Sequence, residues 1–107
     1  MIDSDRTDCP VARALGLLGD RWTLLIVRDL TLDGPRRFSD LARTVAGSSP
    51  AILSNRLKRL EQAGLVERRF YSQHPPRAEY LLTPKGESLG PVLGALRQFG
   101  ETLPERG

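Results

Sequence analysis

Cysteine is almost missing from this 107-residue chain: Cys9 is its one thiol. A lone cysteine forbids an intrachain disulfide and excludes a stapled secreted scaffold. Histidine is equally scarce, with His74 alone. One His and one Cys, far apart in sequence, make neither a metal cluster nor a nucleophile–base pair, so no metal, no cofactor and no enzymatic activity are expected. No apolar run approaches the ~18 residues that would span a bilayer, so no membrane partner is expected either. The stretch Met1 to Asp8 is polar and acidic rather than apolar. It reads as a flexible tail over residues 1–8 and not as a secretory signal, with a reducing cytoplasm as the setting.

What remains is an ordinary globular composition: 39% hydrophobic residues and ten glycines. That supports one domain, residues 9–107, around one core. The formal charge is +3, and its distribution says more than its size. Residues 1–35 carry −2, residues 36–77 carry +6 and residues 78–107 carry −1. A basic middle between weakly acidic ends is the footprint of a surface for polyanions, although fourteen arginines against Lys58 and Lys85 also fit a merely solvated, Arg-biased face.

Turn residues divide the chain cleanly. Cys9-Pro10 opens a helix on which Val11, Leu15 and Leu18 share a stripe, and Gly19 ends it. A second helix runs from about Arg21 to Leu32. Apolar residues cover most of its circumference, so it should lie buried at the centre. Asp33-Gly34-Pro35 stops it, Arg36 to Phe38 is a short extended piece, and Ser39 is the expected N-cap of a short third helix. Ser49-Pro50 reads as cap plus first residue of a fourth helix reaching Ala63. Leu65 to Ser72 and Ala78 to Thr83 read as strands joined by the loop Gln73 to Arg77. Thr83-Pro84 starts a last helix that runs to about Leu103. The expected fold class is therefore α+β, mainly α: a winged helix-turn-helix with a two-stranded wing, hairpin 65–83, and a C-terminal dimerisation helix.

Helix 50–63 has two faces at 100° per residue. Leu53, Leu57 and Leu60 form a core seam. Ala51, Asn55, Lys58 and Gln62, flanked by Ser54 and Arg59, form the other side, with no acid in its middle. These side chains suit a DNA groove: Asn and Gln pair with adenine, Lys and Arg with guanine, and a small residue lets the backbone approach. Ser49 and Pro50 stand at the helix N-terminus, which attracts phosphate. Phosphate contacts are expected from Arg36, Arg37 and Ser39, and from the hairpin tip through His74 and Arg77. The bland alternatives are a solvated helix face and a solubilising hairpin. A winged-helix module that binds protein instead of DNA also fits the element order, but the basic middle and the acid-free face favour double-stranded DNA.

Several runs together resemble the HxlR family of winged helix-turn-helix transcriptional regulators. They are Cys9 to Leu15, Gly19 to Leu30, Arg37 to Leu41, Ser49-Pro50 with Leu53 to Leu57, Glu61 to Val66, Tyr71 to Tyr80, and Leu82 to Gly86. The resemblance covers Cys9 to about Gly100, nearly the whole chain. It implies a homodimeric regulator that binds a near-palindromic DNA site. Some similar proteins sense oxidants or electrophiles through an N-terminal cysteine, and Cys9 matches that position. By its own chemistry Cys9 is balanced: a helix N-terminus favours a thiolate, while Asp5 and Asp8 oppose one. It reads as a candidate redox sensor or as a plain cap. A small-molecule or oxidant effector is thus an open partner. The dimer interface is expected from Val11 and Leu15 with Leu89, Val92, Leu93, Leu96, Phe99 and Leu103, a near-heptad seam.

Overall fold

The structure is a computed structural model and describes residues 9–45 and 47–105. The tail expected over residues 1–8, with Asp5 and Asp8, lies outside the described residues. Among those described, six helices and one hairpin follow in the order α1 (Pro10–Leu18), α2 (Thr23–Asp33), α3 (Phe38–Thr44), α4 (Pro50–Gln62), β1 (Val66–Gln73), β2 (Pro76–Leu82), α5 (Pro84–Glu87) and α6 (Gly90–Gly100). The fold is a mainly helical α+β winged helix-turn-helix, as the element order predicts.

Helix α2 is the central post. Ile26, Val27 and Leu30 are buried against Leu41 and Val45 of α3, Leu53, Leu57 and Leu60 of α4, and Leu65 and Val66 at the foot of the wing. Deleting a buried leucine from such a cluster costs about 2–5 kcal/mol. The helix also buries a carboxylate. Asp29 accepts from the Arg28 guanidinium at 2.8 and 2.9 Å and from the Thr44 hydroxyl, which ties the end of α3 to α2.

Two helix starts differ from expectation. Arg37, not Ser39, is the N-cap of α3, because the Asp40 carboxylate reaches back to accept from the Arg37 N–H at 3.2 Å. Ser39 is left exposed in the first turn. Helix α2 begins at Thr23 rather than Arg21, since Asp20 accepts from both the Trp22 and Thr23 N–H groups at 2.9 Å and holds residues 21–22 in a turn.

The hairpin is longer than expected. Pairing continues to Gln73↔Pro76, so only His74 and Pro75 join the strands. Arg36 adds a single bridge beside β2, exchanging backbone hydrogen bonds with Tyr80 at 2.9 and 2.7 Å. The foot of the wing is fastened to the end of α4. Gly64 turns the chain at φ 76°, where an L side chain is strained. Thr83 then donates from its hydroxyl to Gly64 O, and Lys85 donates to Ala63 O at 3.1 Å. Gly86 sits so close that a Cβ there would meet Leu65 O at 2.1 Å.

The single last helix expected over Pro84–Leu103 is instead two. Pro91 lacks an N–H and its ring would strike the carbonyl four residues back, so the chain breaks at Ser88 and Leu89 and restarts as α6. Leu89 and Leu93 pack on the chain's own core. Among the described residues no helix is long and apolar enough to cross a membrane.

Candidate nucleic-acid interface

Helix α4 presents its outer face to solvent. Ala51, Ser54, Asn55, Lys58 and Gln62 are exposed, while Leu53, Leu57 and Leu60 on the opposite side are at most 1% accessible. The Ser49 hydroxyl accepts from the Ile52 N–H at 3.1 Å, so the expected cap forms and its own proton stays free. With Pro50 at the first position, the N–H groups of this first turn face outward. Among the described residues Lys58 and Arg77 have no ion-pair partner, and His74 and Arg77 are exposed at the wing tip. Asn55 is exposed, and its Oδ1 accepts from Arg56 at 2.7 Å, leaving its amide NH₂ to the outside.

Other arginines of the basic middle are committed to the fold. Arg59 donates to the Gly16 and Leu17 carbonyls at 3.0 and 3.2 Å, closing the C-terminus of α1. Its guanidinium also lies 3.7 Å from Asp20. Arg36 pairs with Asp33 at 3.1 Å, Arg69 with Glu79 across the strands at 3.0 Å, and Arg68 with Glu61 at 3.9 Å. Arg37 stays exposed at the start of α3. Its guanidinium is held above its ordinary pKa first by a hydrogen bond with the Tyr71 side chain and then by Asp40. Asp40 itself is lowered, first by the Arg37 N–H, and it takes a closer contact from Arg43 at 2.9 Å.

Sequence reasoning missed the joint between the α1–α2 corner and α4. Arg56 lies 3.2 Å from Asp20 and stacks over Trp22, with its guanidinium carbon 5.9 Å from the ring centroid. The one available signal was position: Arg56 falls three residues after Leu53 and so borders the core seam. Tyr71, the extra residue of a bulge between the Phe70↔Ala78 and Ser72↔Arg77 pairs, had no signal in the sequence.

Away from α4 in the chain, Val11 and Leu15 of α1, Leu32 of α2, and Val92, Leu96 and Phe99 of α6, followed by Leu103, are large apolar side chains left exposed, Leu32 by 74% and Phe99 by 63%. A groove of about 660 Å³ between α2 and α6, lined by Leu24, Leu25, Leu93, Arg28 and Arg97, shares Leu32 and Leu96 with this exposed set. Cys9 is the N-cap of α1, where its sulfur accepts from the Ala12 N–H at 3.4 Å.

The comparisons with known proteins agree with this geometry. The family described as HxlR-like helix-turn-helix matches residues 17–106. An HTH-type transcriptional regulator of Halalkalibacterium halodurans is 41% identical over 93 residues, spanning 87% of this chain and 82% of the relative. The solved structure of the reduced form of the transcriptional regulator YodB from B. subtilis is 38% identical with a TM-score of 0.76, over 92% of this chain and 97% of that one. The redox regulator HypR in its oxidised form is 32% identical with a TM-score of 0.79, over 92% of this chain and 100% of that one.

Proposed function

This chain belongs to the HxlR-like helix-turn-helix family, and from that premise we propose that it is a cytoplasmic, sequence-specific DNA-binding transcription regulator acting as a homodimer. The observation that carries the reading is the outer face of α4: exposed, free of acids at its centre, and built from Ala51, Ser54, Asn55, Lys58 and Gln62. In the major groove, Asn55 through its NH₂ and Lys58 through its ammonium read base edges. Ser49, Pro50 and Ser39 lie along the backbone, Arg77 and His74 extend the wing to the flanking phosphates, and Arg37 joins them. Arg59 and Arg36, whose guanidinium groups already have protein partners, set the position of the reading elements and add long-range positive potential.

The test is binding to random duplex at low salt, followed by selection of preferred sites. We expect micromolar random-duplex binding with a steep salt dependence, and selected sites with two related halves one helical turn apart. On the preferred site, Asn55→Ala and Lys58→Ala should each relax base choice by about 1–3 kcal/mol at one position, whereas Arg77→Ala should weaken all sequences alike. A protein that ignores duplex DNA at low salt refutes the reading and leaves the protein-binding module.

A second reading adds an oxidant as effector, favoured by the likeness to a protein titled a redox regulator. With one thiol per chain, an oxidised Cys9 must bond to the partner's copy or to a small thiol. Alkylating Cys9 should then alter operator affinity; an unchanged Kd removes this input.

A further inference from the structure

We propose that Arg59 sets the spacing between the two DNA half-sites, by fixing the angle between α1 and α4 rather than by touching DNA. The inference rests on the dimeric DNA-binding reading and deepens it. From Pro10 to Gly16 every residue of α1 except Ala12 is exposed, and Leu18 is the one buried residue of the helix. Its anchorage is concentrated in the last turn, where Leu17 packs against the core. The last carbonyls of a helix lack partners of their own. Arg59 supplies them from α4: its Nη2 donates to Gly16 O at 3.0 Å and to Leu17 O at 3.2 Å. Its Nη1 lies 3.7 Å from the Asp20 carboxylate, in the corner that follows.

One guanidinium on the proposed reading helix thus grips both the end of α1 and the α1–α2 corner. Its planar fork holds these partners in fixed directions, which a lysine ammonium does not reproduce. Both Nη2 hydrogens are spent inside the chain and the side chain is only 35% exposed, so Arg59 is poorly placed to hold a phosphate. Lys58, its neighbour, is exposed. The consequence is geometric. Val11 and Leu15 expose apolar surface on α1, which the dimeric reading assigns to contact with a second copy. In a two-fold pair, the separation of the two reading helices follows from the angle between that contact and α4. Successive base pairs rise by about 3.4 Å, so a reading helix displaced that far meets the wrong step. A clasp at the α1–α4 joint therefore selects half-site spacing, while Asn55 and Lys58 select bases.

The experiment measures Kd for Arg59→Lys and Arg59→Gln on the preferred two-half site and on versions with one base pair added to or removed from its centre. Arg59→Lys keeps the charge and removes the fork, and thermal unfolding and sedimentation check that fold and dimer persist. The wild-type protein should lose at least about tenfold on the altered spacings, because both halves are no longer held at once. Arg59→Lys should bind every version within about threefold, with base choice in each half and the salt slope kept. Arg59→Gln should lose the spacing preference too, with a salt slope changed by well under about one, since no phosphate contact is removed. A spacing preference in Arg59→Lys equal to that of the wild type overturns the clasp. A salt slope lower by about one in Arg59→Gln makes Arg59 a phosphate contact and overturns it as well. A wild-type protein that is monomeric, or that ignores duplex at low salt, instead sinks the reading on which the clasp rests.

Discussion

Asp20 shows how much one side chain decides here. It accepts from the Trp22 and Thr23 N–H groups and from the Thr23 hydroxyl, and it faces Arg56 and Arg59 of α4. Burial alone would raise its pKa, but the Thr23 hydroxyl, the two backbone N–H groups and Arg56 outweigh that and hold it at about 2. A folded value below the ordinary 3.8 means the anion stabilises the fold. That stabilisation is complete above about pH 4 and drains away as pH falls toward 2. Asp20→Asn should therefore cost about 1–2 kcal/mol at pH 7, below the full linkage value because the carboxylate edge remains near solvent. The gap from wild type should close between pH 4 and pH 2 in urea unfolding followed by Trp22 fluorescence. A gap that stays constant over that range would show that the charge is not what matters. Because Asp20 sits at the α1–α2 corner and its partners sit on α4, it fixes the angle at which the proposed reading helix leaves the body.

At the scale of elements, most of the order was legible and the boundaries less so. The caps Cys9-Pro10, Ser49-Pro50 and Thr83-Pro84 all start helices, since each pairs a side-chain acceptor with a proline whose missing N–H costs nothing there. The alternation of leucines placed the inner face of α4 correctly. Ser39 misled because Asp40, one residue later, satisfies the start of α3 from the opposite direction, and two competing acceptors cannot be ranked from sequence. Pro91 was hidden inside a long apolar pattern: periodicity ran through it, while backbone sterics did not. The strands extend into the expected loop because cross-strand pairing decides a hairpin's reach, and pairing is not a local property. The bulge at Tyr71 is illegible for the same reason.

For the whole molecule, the telling feature is what the single chain leaves uncovered. The last helix was expected to give one apolar seam. The structure divides it, Leu89 and Leu93 packing inward while Val92, Leu96, Phe99 and Leu103 are exposed, as are Val11 and Leu15 of α1. We propose that these exposed apolar side chains serve a protein interface, for which the groove between α2 and α6 offers room for apolar side chains from a second copy. We therefore expect Leu15→Glu with Phe99→Glu to yield a folded monomer by sedimentation, with wild-type helicity by circular dichroism. Its affinity for the preferred two-half site should fall by at least about a hundredfold, because the two halves no longer bind as one unit. A wild-type protein already monomeric at micromolar concentration, or a variant still dimeric, would place the interface elsewhere.

The sequence by itself determined the element order, the central place of α2, the two-faced character of α4 and the family. Each depends on residues within a few turns of one another, where periodicity, caps and charge act locally. Only the tertiary structure decided which arginines remain open for a polyanion and which are bound within the fold. Arg59 looks no different from Lys58 along the helix, and Asp20 lies more than thirty residues away from both. A charge is neutralised by whatever sits within a few ångströms of it, and that distance is set by how the helices cross.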